Sequence, residues 1–222
     1  MTDLALRGLR WRLGDTTLLD GLDLTIERGA ATAIVGPSGC GKSSLLRVIA
    51  GIRRVDAGTI EGVPARKAMV FQDAALLPWL TLRQNVALPG RFGTIGDVTE
   101  ALRRVGLAEH ADKLPAALSG GQKMRGSLAR ALVSRPELVL LDEAFAALDG
   151  LTRAAVRDVA TTMAHEQGWT TILVTHDLDD ATRMCSRIIA VDGPPLRVRG
   201  DWPVRAGDAD ALAAHIRSLY AA

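Results

Sequence analysis

The alternation of apolar and polar residues predicts a β-rich beginning to the chain. Residues 4–28 alternate apolar with polar, and turn residues break the pattern at 14–15 and 20–21, which predicts short antiparallel strands. The apolar run 31–35 predicts a buried strand. A glycine-rich turn then leads to helical apolar spacing over 42–50, which Gly51 ends. Two short strands are predicted next, at 58–61 and 67–71.

The pattern turns helical in the middle of the chain and then alternates between strands and helices. Predicted helices of the middle part are 81–88, 94–105 and 121–133. Predicted elements after it are a buried strand at 137–141, a helix at 152–167, a strand at 170–175, a helix at 178–185, strands at 187–191 and 195–199, and a helix at 208–220. This alternation predicts a doubly wound α/β sheet, with 73–134 inserted as a second, helical lobe.

Composition excludes several classes of protein. With 48% hydrophobic and 23% charged residues, the 222-residue chain can bury a core and is not predicted to be disordered. Its apolar runs are far shorter than the roughly 20 residues of a membrane span, and its start lacks the apolar stretch of a secretory signal. Cys40 and Cys185 lack metal-ligand spacing and cannot form a disulfide framework, so we expect a reduced, cytosolic protein. The net charge of +2 gives no reason to expect a nucleic-acid partner.

A glycine-rich turn carries the first candidate chemistry. Residues 36–43, GPSGCGKS, match G-x-x-x-x-G-K-[ST] between a predicted buried strand and a helix. In this motif backbone N–H groups cradle phosphates, Lys42 reaches the β- and γ-phosphates, and Ser43 can ligate Mg²⁺. The alternative is a tight turn with an incidental lysine. The predicted nucleotide-binding residues here are Gly36, Pro37, Ser38, Gly39, Cys40, Gly41, Lys42, Ser43 and Ser44.

Two acids end the buried strand that follows the helical lobe. Asp142 and Glu143 lie where open α/β sheets bind ligands, at the carboxyl end of a strand. We predict that Asp142 holds Mg²⁺ and that Glu143 orients or deprotonates the attacking water. The alternative is that both acids cap the strand at the surface.

A second anion cradle narrows the choice among kinases, GTPases and ATPases. Residues 118–122 read LSGGQ, so Ser119, Gly120, Gly121 and Gln122 open a predicted helix. At this point the sequence resembles the ATP-binding cassette (ABC) transporter ATPases, whose signature is LSGGQ, over about residues 4–200. The resemblance implies a head-to-tail dimer in which ATP lies between the phosphate loop of one subunit and the signature of the other.

Further roles follow from the resemblance alone. Gln72 matches the glutamine that senses Mg²⁺ and the γ-phosphate. Asp149 matches a loop that crosses the dimer interface, and His176 matches the histidine that contacts the γ-phosphate.

The remaining histidines are predicted to be surface residues without partners: His110, His165 and His215.

The implied fold is α/β: a P-loop NTPase core with a mostly parallel sheet, a small antiparallel β lobe and an inserted helical lobe. We expect one ABC ATPase domain over 1–222, with the core at 1–72 and 135–222 and the helical lobe at 73–134.

The adenine-binding position departs from the family pattern, and one glycine of the signature helix needs a separate explanation. An aromatic residue often stacks on adenine near the first turn, where this chain has Leu13, with Trp11 two residues earlier on the same strand face. Either residue is a candidate adenine platform, and the alternative for Trp11 is packing within the β lobe. Gly126 inside the signature helix costs roughly 1 kcal/mol against alanine, and only close packing offers a reason for it.

The segment 74–80, AALLPWL, is too apolar for a free loop. The resemblance implies that it forms a groove for a separate membrane permease subunit. The alternative is that these residues form the core of the helical lobe. Residues 71–89 together with 142–153 look most like bacterial importers of the nitrate, sulfonate and taurine type.

This similarity implies a peripheral subunit at the cytoplasmic face of the inner membrane. Its predicted ligands and partners are ATP, Mg²⁺, a second identical subunit, permease subunits and an extracytoplasmic solute-binding protein. The competing hypotheses are a soluble ABC ATPase without a transport role and a P-loop kinase. The transported solute is not predicted.

Overall fold

The computed structural model describes residues 2–93, 95–205 and 207–220, which fall into two compact units. The first unit joins residues 1–64 with 169–222, and the second unit comprises 65–168. The strands are β1 (Leu4–Leu13), β2 (Thr16–Ile26), β3 (Ala31–Val35), β4 (Ala57–Glu61), β5 (Lys67–Phe71), β6 (Leu138–Asp142), β7 (Thr170–Thr175), β8 (Arg187–Asp192) and β9 (Arg197–Pro203). The helices are α1 (Lys42–Ile49), α2 (Leu82–Ala87), α3 (Val98–Arg104), α4 (Gly120–Val133), α5 (Gly150–Gln167), α6 (Leu178–Met184) and α7 (Ala209–Leu219), with short 3₁₀ turns at Leu88–Arg91, Ala108–His110 and Pro115–Ala117.

An antiparallel sheet in the order β2-β1-β4 forms one part of the first unit. The predicted turn at 14–15 is confirmed, because β1 ends at Leu13 and β2 begins at Thr16. The predicted break at 20–21 is wrong: the strand continues through a β-bulge at Gly21, whose φ is 72°. A bulge accommodates an extra residue without ending the strand, and glycine adopts the required positive φ at little cost.

The other strands of the first unit run in the order β7-β3-β8-β9, with β3 parallel to both of its neighbours. Val35, the last residue of β3, pairs with Thr175 of β7 and with Ala190 of β8. The residues that follow β3 and β7 therefore leave the sheet at the same edge. This edge is where parallel sheets bind ligands.

The second unit contains the parallel pair β5 and β6 together with helices α2 to α5. Phe71 pairs with Asp142, so the residues after β5 and β6 also emerge at one edge. Helix α4 packs closely on α2: a Cβ added to Gly126 would lie 2.6 Å from Leu82 Cδ1. This contact explains a glycine that helix propensity alone does not.

Several predicted boundaries move in the structure. The predicted helix 94–105 begins at Val98, because Asp97 caps it by accepting hydrogen bonds from the N–H groups of Thr99 and Glu100; Thr94 lies outside the described residues. The predicted strand 195–199 becomes β9, which pairs antiparallel with β8. Over the described part of the chain, no helix is long and apolar enough to cross a bilayer.

Candidate nucleotide-binding site

The phosphate loop connects β3 to α1 in the first unit. Gly41 caps α1 in a left-handed conformation, with φ 108°, so a side chain there would be strained. A Cβ on Gly36 would overlap the carbonyl oxygen of Val191, so only glycine fits at the start of the loop. The strand, turn and helix predicted for the G-x-x-x-x-G-K-S motif are therefore confirmed. The predicted residues Ser38, Gly39, Ser43 and Ser44 lie in this loop and the first turn of α1.

Lys42 folds back into its own loop. Its side chain is buried, and Nζ donates hydrogen bonds to the carbonyl oxygens of Gly36 at 2.8 Å and Pro37 at 2.7 Å. Cys40 is fully buried, with its Sγ 3.9 Å from the same Nζ. The ammonium is thus held at the centre of the loop by neutral acceptors, which a phosphate oxygen can replace with a stronger, charge-assisted bond.

His176 lies beside the beginning of the phosphate loop. It follows β7 and lines, with Gly36 and Pro37, a cavity of about 610 Å³. The next residue, Asp177, caps α6 by accepting a hydrogen bond from Asp179 N–H at 2.8 Å. A helix cap directly after His176 fixes the backbone that carries the imidazole. Within the first unit, the structure therefore brings the phosphate loop and the histidine predicted to contact the γ-phosphate to one cavity.

Tyr220, just after α7, makes two hydrogen-bond contacts that the sequence did not predict. Its hydroxyl lies 3.1 Å from the carbonyl oxygen of Val35 and 3.0 Å from that of Val191, at the ends of β3 and β8. Burial raises the pKa of Tyr220 to about 12, so the hydroxyl remains a donor across the physiological range. Val35 immediately precedes Gly36, and the tyrosine thereby braces the sheet edge from which the phosphate loop departs.

Asp142 and Glu143 lie at the carboxyl edge of the second unit's sheet. Asp142 ends β6 and is buried, with 6% of its surface exposed. Glu143 has φ 51°, a left-handed conformation that a non-glycine residue adopts only when its surroundings impose it. Gln72 follows β5 next to this strand, so the structure brings the two acids and the predicted sensor glutamine to the same edge.

The donors at this edge suit Mg²⁺. Asp142 offers a carboxylate and Gln72 offers an amide oxygen. Oxygen ligands of these kinds are those that Mg²⁺ takes in proteins. No three His, Cys, Asp or Glu side chains gather into a metal site among residues 2–93, 95–205 and 207–220. One carboxylate and one amide oxygen are a donor set that suits an ion which keeps several waters and binds substrate phosphates.

Two arginines hold the loops that leave this edge, and neither was identified from sequence. Arg130 of α4 donates to the carbonyl oxygens of Ala75 at 2.7 Å and Ala74 at 2.9 Å, just after Gln72. Burial lowers the pKa of Arg130 from its usual value. Arg153 of α5 donates through Nε to the carbonyl oxygen of Phe145 at 3.1 Å, two residues after Glu143.

The signature residues form a helix N-terminus in the second unit. Ser119 caps α4 in a reciprocal capping box: its hydroxyl accepts from Gln122 N–H at 3.2 Å, and Gln122 Oε1 accepts from Ser119 N–H at 2.9 Å. Gly120 and Gly121 occupy the first turn, where N–H groups have no intrahelical partner. A Cβ on Gly121 would overlap Thr152 Cγ2 of α5, so this glycine also permits close helix packing.

The prediction that His110 is a surface residue without a partner is wrong. His110 is half-buried, and its Nε2 lies 3.0 Å from Nε2 of Gln122. His165 is exposed as predicted, whereas His215, also exposed, packs edge-on against Trp202. Residues 12 apart without a shared periodic element give no sequence signal, so the contact between His110 and Gln122 was missed.

Asp149, predicted to belong to a loop at the dimer interface, forms the N-terminal cap of α5. Its carboxylate accepts from Thr152 N–H at 3.1 Å, and the hydrogen bonds from Thr152 hold the pKa of Asp149 below its usual range. Asp149 is therefore an anion at neutral pH. A cavity of about 420 Å³ near this loop is lined by Gln72, Gly120, Ala147 and Leu148, which places the predicted sensor, signature and interface segments around one space in the second unit.

The two candidate adenine platforms differ sharply in exposure. Trp11 is 7% exposed and Leu13 is 57% exposed. The structure therefore favours the interpretation in which Trp11 packs within the β lobe, and leaves Leu13 as the accessible candidate.

The apolar segment 74–80 contains both buried and exposed residues. Part of it therefore fits the core of the helical lobe, and part fits a surface for a permease subunit. Ala74 is buried, whereas Trp79 is 71% exposed. The turn before α2 is held from within, because buried Asn85 accepts from Leu77 N–H at 2.7 Å and donates to the carbonyl oxygen of Leu80 at 3.0 Å. An exposed tryptophan thus stands on a well-anchored turn.

Comparison with known proteins gives the site its family context. The profile of the ABC transporter family matches residues 19–146. The aliphatic sulfonates import ATP-binding protein SsuB 1 of Paraburkholderia xenovorans is 45% identical over 204 residues, which cover 90% of this chain but 59% of that protein. SsuB 2 of Pseudomonas aeruginosa is 44% identical over 208 residues, which cover 90% of this chain and 75% of that protein. The chain thus spans less than two thirds of the first of these relatives.

Solved structures support the fold. The ATP-binding cassette MJ0796, in a dimeric post-hydrolysis state bound to ADP and Pi, matches with a TM-score of 0.79 and 28% identity, covering 91% of this chain and 99% of that one. The cbiO1 protein of Clostridium perfringens, part of the ABC transporter complex cbiONQ, matches with a TM-score of 0.78 and 28% identity, covering 95% and 90%. The predicted α/β P-loop NTPase fold is therefore confirmed.

Proposed function

The chain belongs to the ABC transporter family, and on this premise we propose that it is the ATP-hydrolysing subunit of an importer. The observation that carries the proposal is the presence of two anion cradles on one chain: the phosphate loop around Lys42 and the capped helix N-terminus at Ser119–Gln122. Two cradles suit a head-to-tail dimer, in which each nucleotide contacts both subunits. We further propose that 1–222 acts as one cassette, with its core at 1–72 and 135–222 and its helical lobe at 73–134.

Nucleotide binding begins at the phosphate loop. Backbone N–H groups of Gly36 and of Ser38–Gly41 turn towards the β- and γ-phosphates, and the N-terminus of α1 adds its favourable potential. Lys42 exchanges its carbonyl partners for phosphate oxygens. Leu13 offers an exposed apolar surface to the adenine base.

Hydrolysis depends on the two acids at the end of β6. Glu143 orients a water for in-line attack on the γ-phosphate and accepts its proton. Asp142, Gln72 and Ser43 would hold Mg²⁺, which would neutralise charge on the phosphates. His176 donates a hydrogen bond to the γ-phosphate, and Ser119, Gly120 and Gly121 of the second subunit stabilise the charge that develops there.

Coupling to transport uses the exposed apolar segment. Trp79 stands on the surface of a turn that Asn85 holds rigid, which suits contact with a membrane permease subunit. We place the protein peripherally at the cytoplasmic face of the inner membrane, with permease subunits and an extracytoplasmic solute-binding protein as partners. Because two relatives are named for aliphatic sulfonate import, an aliphatic sulfonate is the proposed solute.

The proposal is tested by purification from membranes and by growth. A tagged chain should copurify from detergent-solubilised membranes with an integral membrane protein, and its deletion should abolish growth on an aliphatic sulfonate as sole sulfur source. Glu143→Gln should restore the copurification but not the growth. Recovery of the chain only from the soluble fraction, with growth unchanged, would favour the soluble non-transport ATPase.

A further inference from the structure

The contact between His110 and Gln122 carries an inference that deepens the proposed function and rests on it. We propose that His110 is a positioning residue for the signature: its imidazole accepts a hydrogen bond from the Gln122 amide and thereby fixes the helix N-terminus that faces the partner's nucleotide.

The direction of the hydrogen bond follows from the capping box. Gln122 Oε1 accepts from the backbone N–H of Ser119, so the amide nitrogen must be the atom that faces His110. The reverse amide orientation would set the NH₂ group against that N–H. Since the amide nitrogen only donates, His110 Nε2 must be the acceptor. This hydrogen bond therefore uses the tautomer with its proton on Nδ1, an atom that is buried without a partner in the described part of the chain.

The backbone that carries His110 is well anchored. His110 ends a 3₁₀ turn that follows the fully buried Leu107. Two backbone hydrogen bonds tie the next residues to the start of α2: Arg83 N–H donates to Ala111 at 2.8 Å, and Leu82 N–H donates to Lys113 at 2.9 Å. The imidazole is thus a fixed reference point for the glutamine, rather than a mobile surface group.

The hydrogen bond between His110 and Gln122 affects the first turn of α4. With its oxygen on Ser119 and its nitrogen on His110, the Gln122 amide is held at both ends. This arrangement keeps Ser119 in its capping conformation and leaves the N–H groups of Gly120 and Gly121 directed out of the helix end. In the proposed dimer these N–H groups bind the γ-phosphate of ATP held by the partner.

The test compares two substitutions of matched length in a Glu143→Gln background. His110→Gln can place an amide oxygen where Nε2 lies, whereas His110→Met places a methyl group there. We expect the Met variant to need about five-fold more ATP for half-maximal dimer formation, the loss that one net hydrogen bond gives. We expect the Gln variant to stay within about two-fold of the parent, since it restores the acceptor. Equal behaviour of the Met and Gln variants would overturn the inference.

A double-mutant cycle separates positioning from general support of the fold. If His110 acts through Gln122, then His110→Met should cause no further loss in a Gln122→Ala background. Additive losses would contradict the proposal. Should the Met variant fail to fold, His110→Asn gives a second variant whose short side chain does not reach the glutamine, and the same five-fold loss is expected.

Different outcomes would overturn the proposed dimer and the proposed role of His110. If Glu143→Gln alone does not dimerise with ATP, the proposed dimer is wrong and this inference falls with it. If that variant dimerises and the Met substitution changes nothing, only the role of His110 is overturned.

Discussion

We predict that Gly126→Ala destabilises the protein, and that the same substitution stabilises it when Leu82 is replaced by valine. The added Cβ of Gly126→Ala would lie 2.6 Å from Cδ1 of Leu82 and 3.6 Å from Cδ1 of Leu76. Leu82 is fully buried, so its side chain has little room to move away. The same substitution also improves the intrinsic helix propensity of α4. Two effects of opposite sign therefore compete at this one residue.

The magnitudes decide the outcome. Alanine gains about 1 kcal/mol over glycine in a helix interior, whereas overpacking a core costs roughly 1–3 kcal/mol. Gly126→Ala should therefore lower the free energy of unfolding by about 1 kcal/mol, which is about 2–4 °C in Tm for a chain of this size. Leu82→Val removes Cδ1. In that background the propensity term remains alone, and Gly126→Ala should raise Tm by about 2–4 °C.

Calorimetry of the four chains of this cycle measures the effect. Gly150→Ala is the matched control, because nothing lies within 4 Å of a Cβ added at this first residue of α5. It should stabilise by about 0.4–1 kcal/mol. The reasoning is refuted if Gly126→Ala alone raises Tm, or if its effect has the same sign with Leu82 and with valine there.

Three further predictions concern Tyr220, Trp79 and the pair of candidate adenine platforms. Tyr220→Phe should lower Tm by about 2–4 °C, the size of one net hydrogen bond, in a thermal scan. Because burial raises the Tyr220 pKa to about 12 from 10, its contribution is complete below pH 10 and is lost as pH rises through 12; the Phe variant should lack this alkaline loss in unfolding titrations. Trp79→Ala should change the free energy of unfolding by no more than about 0.5 kcal/mol and leave basal ATPase unchanged, while abolishing transport in proteoliposomes. Equal loss of both activities would indicate core damage. Trp11→Ala should cost roughly 3–5 kcal/mol of stability and leave the ATP affinity unchanged. Leu13→Ala should weaken ATP binding and leave the stability unchanged. If calorimetric titration with ATP gives the opposite assignment, Trp11 is the adenine platform.

Much of the fold and the position of the phosphate loop follow from contiguous sequence. The G-x-x-x-x-G-K-S motif specifies its own geometry because glycine conformations, strand and helix all lie within a few residues. The serine and glutamine of LSGGQ are likewise three residues apart, which is the spacing of a capping box. Family membership and the α/β fold, both predicted on these motifs, are confirmed.

The supporting contacts could not be read in the same way. Arg130 reaches carbonyl groups more than 50 residues away, and Tyr220 reaches Val35 across 185 residues. Such partners are set by tertiary packing, and a single sequence holds no periodic signal for them. His110 was misjudged for the same reason, since its partner lies on another element.

Local sequence patterns were also insufficient where tertiary packing decides whether a strand continues or a side chain is buried. Asp20-Gly21 has the composition of a turn, but pairing with β1 keeps the strand intact and turns the glycine into a bulge. Trp11 and Leu13 share a strand face by periodicity, yet only Trp11 is covered. Strand periodicity specifies a face, whereas burial depends on how far the packed layer extends.

The head-to-tail ATP dimer is tested most directly by the molar mass of Glu143→Gln, measured by light scattering on a size-exclusion column with and without ATP and Mg²⁺. The account predicts that ATP shifts this variant from its 23.6 kDa monomer mass to twice that value, and that adding Lys42→Ala prevents the shift. A Glu143→Gln chain that binds ATP but remains at the monomer mass would contradict the account.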